Sequence, residues 1–65
     1  MSRENVEKMK KMIETTRERI QSSRDYVEDN DVSGEQKVRM QEKNERRQEA
    51  IERWQEEMEE ELRDL

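Results

Sequence analysis

The sequence contains no cysteine, no histidine, no proline and no phenylalanine, and its single glycine is Gly34. Without cysteine, a disulfide framework and a thiolate metal site are excluded. Without histidine, the chain lacks the commonest general base and transition-metal ligand. No apolar run approaches the roughly 18 residues that a membrane-spanning helix needs. We therefore expect a soluble, cytoplasmic protein without a cofactor, a metal ion or a catalytic site.

The composition is dominated by charge. Of the 65 residues 51% are charged and 26% are hydrophobic, and the formal net charge is −5. Such a composition by itself predicts intrinsic disorder, and it cannot supply the buried pocket of an enzyme. The acidic excess lies in the second half, mostly between Glu56 and Asp64. This balance argues against tight nucleic-acid binding, which depends on neutralising phosphates with Lys and Arg.

Most other residues are strong helix formers, chiefly Glu, Lys, Arg, Gln and Met. Turn and cap residues cluster only between Asp29 and Gly34. Within that cluster, Ser33 and Gln36 have the spacing of a capping box, which favours a helix that begins directly after Ser33. We predict one domain over residues 1–65, made of a helix at about 3–28, a turn at about 29–33 and a helix at about 34–63.

Two heptad seams run through these helices, each with two positions per seven residues turned towards a partner helix. The predicted seam core is Val6, Met9, Ile13, Ile20, Val27, Met40, Ile51, Trp54 and Met58. Polar or charged residues fill the remaining positions, which are Thr16, Ser23, Asn44, Arg47 and Glu61, and Leu65 follows at the end.

If the chain folds back at the turn, both seams fall into one antiparallel register. Ser23 then faces Asn44, Thr16 faces Ile51 and Ile13 faces Trp54. We therefore predict an all-α protein, an antiparallel two-helix hairpin that resembles a coiled coil. A lone hairpin buries its seam only partly while ordering costs about 1–2 kcal/mol per residue. Two states stay open: a loose monomer, and a homo-oligomer in which hairpins associate into a four-helix bundle.

The flanks of the seams lead to two further expectations. Met12, Tyr26, Ala50 and Leu62 are expected to widen the apolar stripe. Oppositely charged residues four apart are expected to pair along each helix, as Glu4–Lys8, Glu7–Lys11, Glu35–Arg39, Glu42–Arg46 and Glu49–Arg53. The lysines at 8, 10 and 11 are expected to lie near the acidic C-terminal stretch.

Three features could carry a site. Lys43, Arg46 and Arg47 form the most basic patch, which is either a phosphate or partner contact or part of a polar layer that fixes the helix register. Trp54 is interpreted as a core residue. The segment from Asp29 to Gly34 imitates the start of a calcium-binding loop, but the closing glutamate is replaced by Met40, so a turn with a helix cap is favoured.

The sequence resembles a known family in both halves. The first half carries Asn5-Val6-Glu7-Lys8-Met9, followed by Ile13 and Thr16. The second carries Ser33-Gly34-Glu35, Lys37, the block Glu42-Lys43-Asn44-Glu45-Arg46-Arg47-Gln48, and Ile51. These residues, in this order, resemble the small acid-soluble spore protein Tlp family from about Arg3 to Glu60. The family is thioredoxin-like by name only, since the chain has no Cys-x-x-Cys.

The resemblance implies a non-enzymatic protein of endospore-forming bacteria, made in the forespore and resident in the spore core. It implies a structural or interaction role in sporulation but no particular molecular activity. An alternative from the residues themselves is a helical adaptor or regulator that docks its apolar stripe on an unknown protein partner. Binding of nucleic acid through Lys43, Arg46 and Arg47 is a third, weaker hypothesis.

Overall fold

Two long helices lie antiparallel and pack against each other along their length. The computed structural model describes residues 2–64, and side chains from residue 3 onwards, so Leu65 at the end of the second seam lies outside the described residues. Helix α1 covers Ser2–Asp29 and helix α2 covers Gly34–Arg63. The hairpin measures 48 × 16 × 12 Å. The predicted all-α two-helix hairpin is confirmed. Neither helix, as far as it is described, is long and apolar enough to cross a membrane.

The ends of the helices at the turn are held by side chains. Asn30 donates a hydrogen bond from Nδ2 to the carbonyl oxygen of Tyr26 at 2.9 Å, which satisfies a group that the end of α1 leaves free. Ser33 is the N-cap of α2, and its Oγ accepts from the backbone N–H of Gln36 at 3.2 Å. The reciprocal bond from the Gln36 side chain does not form between these two described residues. The capping box is therefore half formed.

The connection is a segment of four residues, 30–33, outside both helices, and Ser33 at its end has an extended backbone (φ −63°, ψ 156°). No described residue has a positive φ angle, and Gly34 is already the first residue of α2. A Cβ atom at Gly34 would meet nothing within 4 Å. Val32, in the middle of the connection, is only 7% exposed. Val32 falls within the predicted turn at about 29–33, and the residue types of that segment did not indicate its burial.

The best-packed part of the interface lies in the middle of the hairpin. Ile51 of α2 is fully buried and packs with Ile13 and Ile20, which are one heptad apart on α1. Trp54 and Met58 pack against this cluster from α2. Ile51 thus occupies the level of Thr16, between the two isoleucines, as a knob does in a coiled coil. Towards the open end, Val6 and Met9 are also buried.

Two of the four residues expected to widen the apolar stripe do not do so. Met12 and Ala50 are half-buried, whereas Tyr26 is 52% and Leu62 is 50% exposed. The prediction was wrong for Tyr26 and Leu62 because both lie near the ends of the interface. Two helices alone leave the outer sides of the seam open to water.

The expected ion pairs along the helices are mostly not formed. Among the described side chains, Glu35 and Arg39 make the predicted contact at 2.6 Å, and Glu7 pairs with Lys10 at 3.6 Å instead of with Lys11. The other three predicted pairs do not come within 4.0 Å. These long side chains are exposed, where attraction between charges offsets little more than the loss of side-chain entropy.

Candidate interaction surface

A polar layer crosses the helix interface. Asn44 of α2 donates from Nδ2 to Ser23 Oγ of α1 at 2.8 Å, and Arg47 donates from Nη1 to Asn44 Oδ1 at 2.9 Å. All three residues are half-buried. Because the hydrogen bond to Ser23 exists in one register only, a shift of the helices by one heptad would leave Asn44 without this partner. In the observed alignment this layer links α1 to α2 by a direct hydrogen bond between side chains.

The basic patch predicted in α2 opens onto a groove on one side of the hairpin. Lys43 and Arg46 are exposed and Arg47 is half-buried, and the three line this groove together with Arg19 of α1. We call it the basic groove; its other lining residues are Thr16, Ala50 and Trp54. Four cationic side chains and no acidic one line it. Each cation therefore has like charges, and no carboxylate, as its groove neighbours.

Arg19 is the member of the basic groove that the sequence analysis missed. Its position in the heptad could have located it. Arg19 directly precedes the seam residue Ile20, just as Lys43 directly precedes the seam residue Asn44. In an antiparallel pair, residues that precede corresponding seam positions lie on the same side of both helices. Applying the heptad to flanking positions would have placed Arg19 beside Lys43.

Trp54 has contacts in two directions. One part of its side chain packs against the Ile13–Ile20–Ile51 cluster, in line with its interpretation as a core residue. The rest lines the basic groove and also two further grooves on the same side of the hairpin. The first of these is lined by Lys8, Lys11 and Arg19 among others. Trp54 is thus the point where three grooves meet, and we call this side of the hairpin the Trp54 face.

The third groove on the Trp54 face has the opposite charge. Its acidic side chains are Glu57, Glu60, Glu61 and Asp64, and Lys8 is its one basic residue. We call it the acidic groove. Lys8 does lie near the acidic stretch, as expected, but no ion pair within 4.0 Å joins the two helices among the described side chains. The Trp54 face is therefore polarised, basic at its middle and acidic at its open end.

The predicted seam core residues line the helix interface with different degrees of burial. Val6, Met9, Ile13, Ile20 and Ile51 are buried. Val27, Met40, Trp54 and Met58 are half-buried. On the side away from the Trp54 face, Val27 and Met40 line an open groove with Ile20. Two helices alone do not cover every side of these four half-buried residues.

The segment that imitates a calcium loop has a different structure. Asp29 is the last residue of α1, and Ser33 caps α2, so the first and fifth positions of the imitated loop belong to helix ends. Among the described residues, no three acidic side chains come together in an arrangement that could hold a metal ion. The turn and the cap account for these residue types.

Comparison with known proteins identifies a family. The model of the family described as "Small, acid-soluble spore protein Tlp" matches residues 2–65. No curated protein and no solved structure shows significant similarity to the chain. The match covers nearly the whole hairpin, including the polar layer and both charged grooves. The chain therefore belongs to the small, acid-soluble spore protein Tlp family.

Proposed function

We propose that this chain is a non-enzymatic protein of the spore core of endospore-forming bacteria, with a structural or interaction role in sporulation. The family match over residues 2–65 carries the proposal, because it makes the chain a sporulation-related spore protein. The finer claims concern where in the spore the protein resides and how it acts. The claim about how it acts is supported by the distribution of its charged side chains.

The charged groups lie where they can meet other molecules but not where they can catalyse. Among the described side chains, Arg47 and Glu61 are the charged ones that are partly buried, and the other charged side chains are exposed. Acid–base catalysis relies on ionisable groups held in sheltered surroundings that separate their pKa values. A surface of exposed charges supports contact with partners and not turnover of a substrate.

The location can be tested in the bacterium that encodes the chain. Spores would be stripped of their coats and broken, and core extracts would be compared with mother-cell and vegetative-cell extracts by immunoblotting. A known mother-cell protein would control for carry-over. We expect the protein in the core fraction, first detectable in the forespore. Its presence in vegetative cells and absence from the core would contradict the proposal.

A second candidate function is that of a helical adaptor which docks on a partner protein. The observation in its favour is the open groove on the side away from the Trp54 face, where the apolar seam residues Val27 and Met40 are only half-buried. An amphipathic helix of a partner could cover them. This function predicts a specific captured partner that Val27→Glu no longer binds. A stable hairpin without such a partner in sporulating cells would argue against it.

A further inference from the structure

We propose that the Trp54 face binds the same face of a second copy of this chain, so that the acidic groove of each copy occupies the basic groove of the other. This inference deepens the proposed interaction role by naming the partner and the surface. The two grooves have opposite charge. The basic groove contains no carboxylate, and the acidic groove contains four carboxylates with Lys8 alone to balance them. The lining of the basic groove thus has a net positive charge and that of the acidic groove a net negative charge.

The spacing along α2 suits a two-fold arrangement. Arg47 precedes Trp54 by seven residues and Glu61 follows it by seven, which is about 10.5 Å in either direction at about 1.5 Å per residue. Lys43 and Asp64 lie at about 16.5 Å and about 15 Å from Trp54 by the same measure. A two-fold axis through the level of Trp54 therefore brings the basic residues of each copy opposite the acidic residues of the other. Such an interface is self-complementary and closes as a dimer.

The centre of this surface has the side chains that a close contact needs. Trp54 and Met12 are half-buried in the monomer, so each keeps apolar area that a second copy can cover. Ala50, one turn before Trp54, is small enough to let two helices approach. A tryptophan near the centre with a polar rim around it is a common organisation of protein interfaces.

Sedimentation equilibrium of the full chain is the first test. We expect a dimer whose dissociation constant rises about tenfold or more between about 20 mM and 500 mM salt, because added salt screens the exposed charges. A monomer at all concentrations, or an association that salt leaves unchanged, would overturn the proposal.

Charge-reversal variants test whether the Trp54 face forms the contact between the two copies. We expect Lys43→Glu/Arg46→Glu to abolish dimers by placing acidic residues opposite the acidic groove. Glu60→Lys/Asp64→Lys should do the same with basic residues. Mixing these two variants should restore a heterodimer, since both contacts are then complementary again. Lys10→Glu/Arg17→Glu is the matched control, because it changes the net charge equally but lies in a groove that shares no residue with the Trp54 face.

Further results of these experiments also support or overturn the proposed dimer. If the reversed variants lose helicity by circular dichroism, Lys43→Gln/Arg46→Gln should still weaken the dimer, about tenfold, without adding repulsion. Loss of dimers in the control but not in the Lys43/Arg46 variant would place the contact elsewhere. A chain that stays monomeric but binds a duplex DNA oligonucleotide through Lys43 and Arg46 would overturn the proposal in favour of a nucleic-acid surface. A protein that dimerises as expected but is absent from spores would contradict the proposed function only.

Discussion

Asn44 and Ser23 are joined across the helix interface by a hydrogen bond of 2.8 Å, 21 residues apart in the chain. The bond links the middle of α1 to the first half of α2, and Arg47 completes it by donating to the Asn44 side chain. It is the contact in which the alignment of the two helices is most directly visible. Its contribution to the stability of the hairpin can be measured by substituting its two partners.

Removing one partner of this hydrogen bond should destabilise the hairpin more than removing both partners. We expect Ser23→Ala alone to lower the free energy of unfolding by about 1 kcal/mol, because Asn44 keeps a half-buried donor without a partner. Ser23→Ala combined with Asn44→Leu should be neutral or stabilising, because neither residue then keeps an unpaired polar group and the half-buried Arg47 can turn its guanidinium towards water. Urea unfolding followed by circular dichroism measures both, and a double-mutant cycle with Asn44→Leu alone gives the coupling. A coupling energy near zero would show that the bond contributes nothing in solution.

Ile51 is the residue on which the packing depends most. Ile51→Ala removes the one side chain that is fully buried between Ile13 and Ile20, so we expect a loss of about 2–5 kcal/mol. In a hairpin of marginal stability, that loss should abolish the helical signal at 25 °C. Val38→Ala is the matched control, since Val38 is 54% exposed. It should change the stability by less than about 0.5 kcal/mol, and equal effects of the two variants would contradict the described core.

Gly34 should be replaceable with a gain in stability. It lies in the first turn of α2 with an ordinary negative φ, and a Cβ there meets open space. Gly34→Ala should therefore raise the free energy of unfolding by about 0.4–1 kcal/mol, mainly by restricting the unfolded chain. Thermal unfolding measures the change. A destabilised variant would mean that the chain uses a left-handed glycine at this position in solution.

Replacing Ser33 by alanine should lower the stability of the hairpin, whereas the same replacement at its neighbour Gly34 should raise it. Ser33→Ala removes the oxygen that accepts the Gln36 N–H, and we expect a cost of about 0.5–2 kcal/mol. Ser33→Asp should retain the cap, because a carboxylate accepts the same bond and is favoured at the positive end of a helix. Helix content and unfolding midpoints of the two variants provide the measurement. Equal helix content and equal unfolding midpoints of the two variants would show that the Ser33 cap does not stabilise α2.

The fold was predictable because its signals are local and repeated. The spacing of the seams and the Ser33 cap indicate two helices and one antiparallel alignment, and in the structure Ser23 and Asn44 meet as that alignment requires. The exposure of Tyr26 and Leu62 was not predictable from the heptad alone. It depends on how far the facing helix covers each flank, and that is a property of the pair and not of either helix.

The candidate surface was predictable only in part. Lys43, Arg46 and Arg47 stand out as a basic block in the sequence, but Arg19 is distant in the chain and joins them only because the hairpin closes. The same closure places Trp54 between the basic and the acidic groove. Exposed charges carry no periodic signal as strong as that of buried residues, because water tolerates them at any position.

The sequence by itself determined that the chain has no thiol or imidazole chemistry and that its few apolar residues form two seams. It also determined that the helices pair in one antiparallel register, since periodicity and caps are properties of neighbouring residues. Only the tertiary structure decided that Val32 is buried in the connection and that the basic groove, with Arg19 in it, is lined by no carboxylate. Burial and electrostatic surroundings arise from residues that are distant in sequence, and they exist only once the two helices are packed together.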